Sequence, residues 1–263
     1  MQKSIIGEAP AIVEMIDDSS HHPHRVPSGT RVYAIGDIHG RLDLLDELLA
    51  RVCDDAGESP ASRVVVVFLG DLIDRGAQSC AVVERVIDGA PAQGPLAGAR
   101  YVCLRGNHED TMLQFLADFS VGPRWFRNGG LEAIRSYVGE VDSRLALDYP
   151  RLQKMLYRAL PTHHLRFLSS IPTWHEEGDY LFVHAGVRPG VPLDRQDPFD
   201  LMWIREPFLG ATETLGKMVV HGHTVVAEPE MRPHRIGIDT GAYRTGRLTA
   251  LVLEEDRQRF LST

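Results

Sequence analysis

Three short apolar runs in this chain each break into a loop carrying glycine beside an acid or an amide, and each loop leads into a helix-forming stretch. The middle copy is the plainest. Residues 64–69 (VVVVFL) are apolar at every position and β-branched at four, the pattern of a strand buried on both faces, and they deliver the loop GDLIDRG at 70–76. A helix with Ala81, Val82, Val83, Val86 and Ile87 follows, stopped by Gly89 and Pro91. Upstream, residues 30–35 (TRVYAI) run into GDIHG and then into Leu42, Leu45, Leu48, Leu49 and Val52 at helical spacing. Downstream, residues 101–104 (YVCL) run into RGNHED and a helix with Met112, Leu113, Phe115 and Leu116. Strand, polar loop and helix in repetition specify an α/β chain, and open α/β sheets put their chemistry at the strand ends.

The rest of the chain divides around this core. Residues 1–28 have mixed polarity, include His21, His22 and His24, and are expected to form a flexible arm before a single catalytic domain at 29–263. Residues 118–172 read as helical, with one helix starting at Asn128-Gly129-Gly130 and another over about 149–160. They are expected to form a cap segment, with Pro161, His163 and His164 between helices. Strands return at 180–183, 217–220 and 236–238, each ending on polar residues: His184-Ala185-Gly186, His221-Gly222-His223-Thr224 and Asp239-Thr240-Gly241. Residues 248–253 alternate too little for a surface strand and belong inside the sheet.

Composition narrows the partners. A net charge of -8 argues against a chain that tracks nucleic acid on a broad basic surface. No apolar run reaches the roughly 18 residues a membrane span needs, and no secretory leader is recognisable, so the expected location is cytoplasmic. Cys53, Cys80 and Cys103 lack CxxC spacing and read as buried reduced thiols.

Collecting the loop tips gives Asp37, His39, Asp71, Asn107, His184 and His223, with Asp74, Arg75, His108 and Arg205 close in sequence or motif. Taken singly, an aspartate in a glycine-bounded loop is as readily an Asx turn or a helix cap as a ligand. The same arrangement at three successive strand ends shifts the balance toward a site. Carboxylate, imidazole and amide oxygen are ligands for manganese, iron or zinc rather than for a thiolate centre. Six such groups exceed what one open catalytic ion requires, whereas two ions sharing one carboxylate use them all.

GDIHG, GDLIDRG, RGNHE, VHAG and HGHT, in that order, resemble the signature of the phosphoprotein phosphatase family within the calcineurin-like metallophosphoesterases, especially its bacterial and phage serine/threonine phosphatase branch. The likeness runs from about residue 31 to about residue 242. It implies a four-layer α/β fold, two mixed β-sheets packed as a sandwich flanked by helices, with two divalent ions, manganese first and iron or zinc as alternatives. By the resemblance Asp37, His39 and Asp71 hold one ion, and Asp71, Asn107, His184 and His223 hold the other. His108 is the general acid, Asp74 orients it, and Arg75 and Arg205 bind phosphate.

Period-two spacing puts His221 and His223 on one side of a strand and does not choose between them; the resemblance selects His223. Val225 stands where phosphodiesterases and nucleases of the wider group carry a further histidine. The implied reaction is in-line attack on phosphorus by a water held between two ions. Phosphoserine and phosphothreonine in proteins are the leading substrates, with a small phosphoester in the same role. A symmetrical dinucleoside tetraphosphatase is the alternative, and a catalytically silent binding module a third reading.

Overall fold

A computed structural model describes residues 24–212 and 216–263. In the first sheet, β1 (Thr30–Ile35), β2 (Arg63–Phe68) and β3 (Arg100–Cys103) lie parallel and adjacent. Beyond β1 the chain adds β9 (Thr249–Glu254) and β10 (Arg257–Ser262), both antiparallel to their neighbours, for the order β10-β9-β1-β2-β3. The second sheet comprises β4 (Trp174–Glu177), β5 (Tyr180–Val183), β6 (Met218–His221), β7 (Glu230–Met231) and β8 (Arg235–Gly237), in the order β4-β5-β6-β8-β7. Its central strands β5, β6 and β8 are parallel and its edges antiparallel. The helices are α1 (Leu42–Glu58), α2 (Ser79–Asp88), α3 (Asn107–Ala117), α4 (Gly122–Phe126), α5 (Gly130–Val138), α6 (Tyr149–Ala159), α7 (Thr162–Ser170), α8 (Pro198–Trp203) and α9 (Ala242–Thr245).

Strand alternation sorts the side chains into three apolar layers. Val32, Ala34, Val65 and Val67 face Tyr180, Phe182, Val220 and Ile236 across the interface between the sheets. Their neighbours Tyr33, Ile35, Val66 and Phe68 point the other way, onto Leu45, Leu48, Val82, Val86 and Phe115 of the helices. On the far side, Leu181, Val183 and Val219 pack on Leu201, Ile204 and Phe208. Residues 64–69 are apolar throughout because both faces of β2 are covered. The result is the expected four-layer metallophosphoesterase architecture.

Three expectations change in detail. The part of the arm at residues 1–23 lies outside the described residues. Residues 24–28, assigned to the same arm, are docked: Val26 is buried in the inter-sheet layer and donates its N–H to Glu255 O, while Arg25 O accepts from Asp179 N at 2.8 Å. The 118–172 segment is helical, but Ile134, Leu152, Leu156 and Leu168 share the layer of α1 and α2. It therefore flanks the sheet and meets the site along its edge, chiefly through residues 124–130. His163 and His164 sit within the first turn of α7 rather than between helices.

The strands β4, β7 and β10 carry no clear apolar signature, since an edge strand faces partly to solvent. Among the described residues no helix is long and apolar enough to cross a membrane.

Phe182 is fully buried between the two sheets, so Phe182→Ala should cost about 3–5 kcal/mol, read as a lower urea midpoint at unchanged slope.

Candidate metal centre

Parallel strands end together, so the register of β1, β2 and β3 brings loops 36–40, 70–76 and 104–109 out of one edge. β5 and β6 end facing them, and hydrogen bonds fasten the two sheets there. His184 Nδ1 bonds Leu69 O at 2.9 Å, and His223 N donates to both carboxylate oxygens of Asp37 at 3.3 and 3.1 Å.

The backbone at this edge is unusual. Five of the six non-glycine residues with positive φ among the described residues belong to the site: His39 (48°), Asp71 (50°), Asp74 (73°), Arg75 (66°) and His223 (62°). Each such position costs about 1–3 kcal/mol and persists only where the surroundings impose it. Gly70, at φ 99°, permits the loop to pass β3's end, because a β-carbon there would lie 2.6 Å from Gly106 N.

Asp37, His39, Asp71, Arg75, Asn107, His108, Arg205 and His223 line a single cleft of about 120 Å³, and Asp74 and His184 lie beneath its floor, fully buried. All ten residues singled out from sequence are thus brought together. Asp71 Oδ2 is the hub, 3.6 Å from His39 Nε2, 3.8 Å from His108 Nε2 and 3.4 Å from His184 Nε2. It belongs to two groups whose ligand atoms lie within 4.8 Å of one another, His39–Asp71–His108 and Asp71–His184–His223.

The donor set fits divalent cations on its own chemistry. His184 has oxygen on every side: Leu69 O at Nδ1, and Asn107 Oδ1 at 2.9 Å and Asp71 Oδ2 at Nε2. Burial lowers its pKa and so keeps it neutral, with one N–H to give. If Leu69 O takes that proton, a lone pair on Nε2 confronts oxygen lone pairs, a conflict that a cation relieves. His39 is held the same way, Nδ1 on Ile73 O at 2.9 Å, with burial and then His108 bringing its pKa down to about 3. His223 is pushed down to about 2 by burial and then His184, and its buried Nε2 has no hydrogen-bond partner.

Burial, Asp239 and Asp71 raise Asp37 well above the usual carboxylate range, and burial lifts Asp239 to about 6. Three carboxylates this close need positive charge among them.

His108 differs from the ligand imidazoles. Burial opposes its charge, but the carboxylates of Asp71 and Asp74 lift it to about 9. Its Nδ1 is 2.5 Å from Asp74 Oδ2, which also accepts from Trp125 Nε1 at 2.7 Å. Arg75 lies over the Tyr243 ring at 4.3 Å and takes its backbone fix from Gly129 O. Arg205 Nη2 donates to His223 O at 3.3 Å.

Sequence reasoning passed over some of these neighbours. Asp239, one of the polar residues at the end of its strand, accepts from Gly241 N at 2.9 Å and also lines the cleft. Tyr243, packed edge-on to His39, carried no motif signal. Glu109 is the larger omission: fully buried, it accepts from Asp71 N and Gly106 N on Oε2, both at 2.9 Å, and from Leu72 N and Ile73 N on Oε1, at 2.8 and 3.3 Å. Its place at the third residue of α3, where a glutamate reaches back to the helix start, was the available clue. His221 turns away from the cleft, bonding Gly222 O and packing edge-on against Phe208.

Glu109→Gln replaces one acceptor oxygen by an NH2 facing two buried amides, each worth about 1–3 kcal/mol. Urea unfolding should show a loss of about 2–6 kcal/mol together with a fall in bound metal. A variant with the native midpoint and metal content would remove Glu109 from this role.

Residues 30–244 match the family model described as calcineurin-like phosphoesterase. Among curated proteins, the asymmetrical bis(5'-nucleosyl)-tetraphosphatase PrpE of Oceanobacillus iheyensis is 25% identical over 238 residues, covering 84% of this chain and 87% of that protein. The symmetrical bis(5'-nucleosyl)-tetraphosphatase of Dechloromonas aromatica is 34% identical over 158 residues, 60% of this chain and 44% of that one. Among solved structures, the cold-active protein-tyrosine phosphatase of a psychrophilic Shewanella superposes with a TM-score of 0.54 at 19% identity, covering 90% of this chain and 80% of that one. The family match spans most of the sequence, including every loop that contributes to the cleft, and the chain belongs to the calcineurin-like phosphoesterase family.

Proposed function

We propose that the protein hydrolyses phosphoric monoesters in the cytoplasm, with Asp37, His39 and Asp71 holding one divalent ion and Asp71, Asn107, His184 and His223 a second. The observation that carries this reading is Asp71, one carboxylate common to two groups of imidazoles. Bound there, two ions supply Lewis-acid polarisation of phosphoryl oxygens and an acidified water as nucleophile. Arg75 and Arg205 present guanidinium forks to the remaining phosphoryl oxygens. His108, its Nδ1 fixed by Asp74, is placed to give a proton from Nε2 to the leaving oxygen as the bond to phosphorus breaks. Trp125 holds Asp74 in place from behind.

The acid pair bears on the substrate. An alkoxide from serine or threonine is a poor leaving group that must be protonated, whereas a phosphate expelled from an anhydride departs as a weak base. A dedicated His108–Asp74 pair therefore favours phosphoserine or phosphothreonine in proteins. The relatives' names favour a second reading, a bis(5'-nucleosyl) tetraphosphate. At about 120 Å³ the cleft is small beside the 300–1,000 Å³ of drug-sized pockets, so it takes the phosphoryl group and leaves the rest of either substrate on the rim.

Metal-stripped protein given manganese should turn over a phosphothreonine peptide and be inactive without it. If diadenosine tetraphosphate is cleaved faster by orders of magnitude, the phosphoprotein reading is lost. The products, two ADP or ATP with AMP, would then say which bond is cut.

His108→Asn should keep its metal and lose about 10²–10⁴-fold on phosphothreonine, with a far smaller loss on p-nitrophenyl phosphate, whose leaving group needs no proton. Equal losses on both would argue against the acid role.

A further inference from the structure

Away from the cleft, a second set of ligand-type side chains converges where α2 meets α7. Glu84 Oε2 is 2.9 Å from His163 Nε2 and 2.6 Å from His164 Nε2, and the three ligand atoms lie within 4.8 Å of one another. Adjacent residues on a helix point about 100° apart and do not normally share a partner. Here they do: His164 reaches the carboxylate from the fully buried side of α7, and His163 folds over from the exposed side, with ring centroids 4.6 Å apart at 86°.

We propose that Glu84, His163 and His164 form a separate metal site, suited to zinc, that ties α2 to α7. Two imidazoles and one carboxylate are the ligand set of an open tetrahedral zinc site, with the fourth position left to water. Burial lowers the His164 pKa, leaving the neutral ring that a metal requires.

Its far nitrogen is already placed, since Nδ1 is 2.9 Å from Tyr137 OH on α5. A hydroxyl both donates and accepts, so Tyr137 serves His164 with the proton on Nε2, facing Glu84, and equally with the proton moved to Nδ1 and the Nε2 lone pair free for an ion.

Tetrahedral zinc holds its ligand atoms about 3.3 Å apart, given bonds of about 2.0–2.1 Å. Opening the two contacts to Glu84 that far lengthens them by about 0.4 and 0.7 Å, and the side chains of Glu84 and His163, half exposed, are free to move while His164 stays fixed. Glu84 also lines a groove of about 550 Å³ between α1 and α2, bounded by Asp46, Cys80 and Ser136, which leaves the site open to solvent.

The site shares no residue with the phosphatase reading and can be tested without it. Equilibrium dialysis of the full chain against micromolar zinc, followed by metal analysis, should give one equivalent more in the wild type than in His163→Ala or Glu84→Gln. His163 is exposed and its loss leaves no cavity, so that variant should fold.

In an Asp71→Asn background, which removes the shared ligand of the other centre, one zinc should remain and disappear when His163→Ala is added. Tyr137→Phe should weaken it about 10–100-fold. Equal zinc in the wild type, His163→Ala and Glu84→Gln overturns the proposal. So does an Asp71→Asn protein whose residual zinc is indifferent to His163.

Discussion

One buried carboxylate sets the distance between the two loops on which the cleft depends. Glu109 takes N–H groups from Asp71, Leu72 and Ile73 at the end of β2 and from Gly106 at the end of β3. Through it, the hub Asp71 is fixed relative to Asn107 and His108, which open α3. Asp71 completes the tie from its own side, accepting His108 N on Oδ1 at 3.1 Å. Burial raises Glu109 to about 7 against the pull of these amides, so the tie sits in a region where charge is already costly.

That cost explains the division of labour among the histidines. Burial depresses His39, His184 and His223, which makes them neutral donors, while His108, wedged against Asp71 and Asp74, is raised. Burial opposes the charge of Asp71, and the charged ring of His108 beside it works the other way, holding its carboxyl below the usual range. The edge where these strands end therefore holds both neutral imidazoles and one that keeps its proton.

What the sequence made legible follows from what each loop must do. Glycine-bounded acids or amides after apolar runs are visible because few other arrangements present such a group at the end of a doubly buried strand, and that singled out Asp37, Asp71 and Asn107. Period-two logic could not separate His221 from His223, because the chain leaves β6 at Gly222 and His223 turns into the left-handed region, φ 62°, which sends its ring to the cleft while His221 stays in the core. Glu109 and Asp239 escaped for a related reason. Apart from Gly106, three residues upstream of Glu109, and Gly241, two residues beyond Asp239, their partners are amides and a carboxylate in other segments, and no local spacing encodes contacts between strand ends brought together by sheet order. The edge strands β4, β7 and β10 were missed because a strand covered on one side only has little apolar pattern to read.

The left-handed residues show where the geometry comes from. His39, Asp71, Asp74, Arg75 and His223 hold positive φ within a web of hydrogen bonds among the loops. His39 N donates to Asp71 O, Gly76 N to His39 O, Asp74 N to Ser79 Oγ and Arg75 N to Gly129 O. These bonds come from three different segments, so no single one can be released without the others resisting. Their combined strain is tolerable only because the layers beneath, from Val66 and Phe68 to Leu45 and Phe115, are packed on both sides and do not yield. The core thus supplies rigidity to a small polar cleft, and electrostatic work at phosphorus depends on donors and charges that need no rearrangement when the substrate arrives.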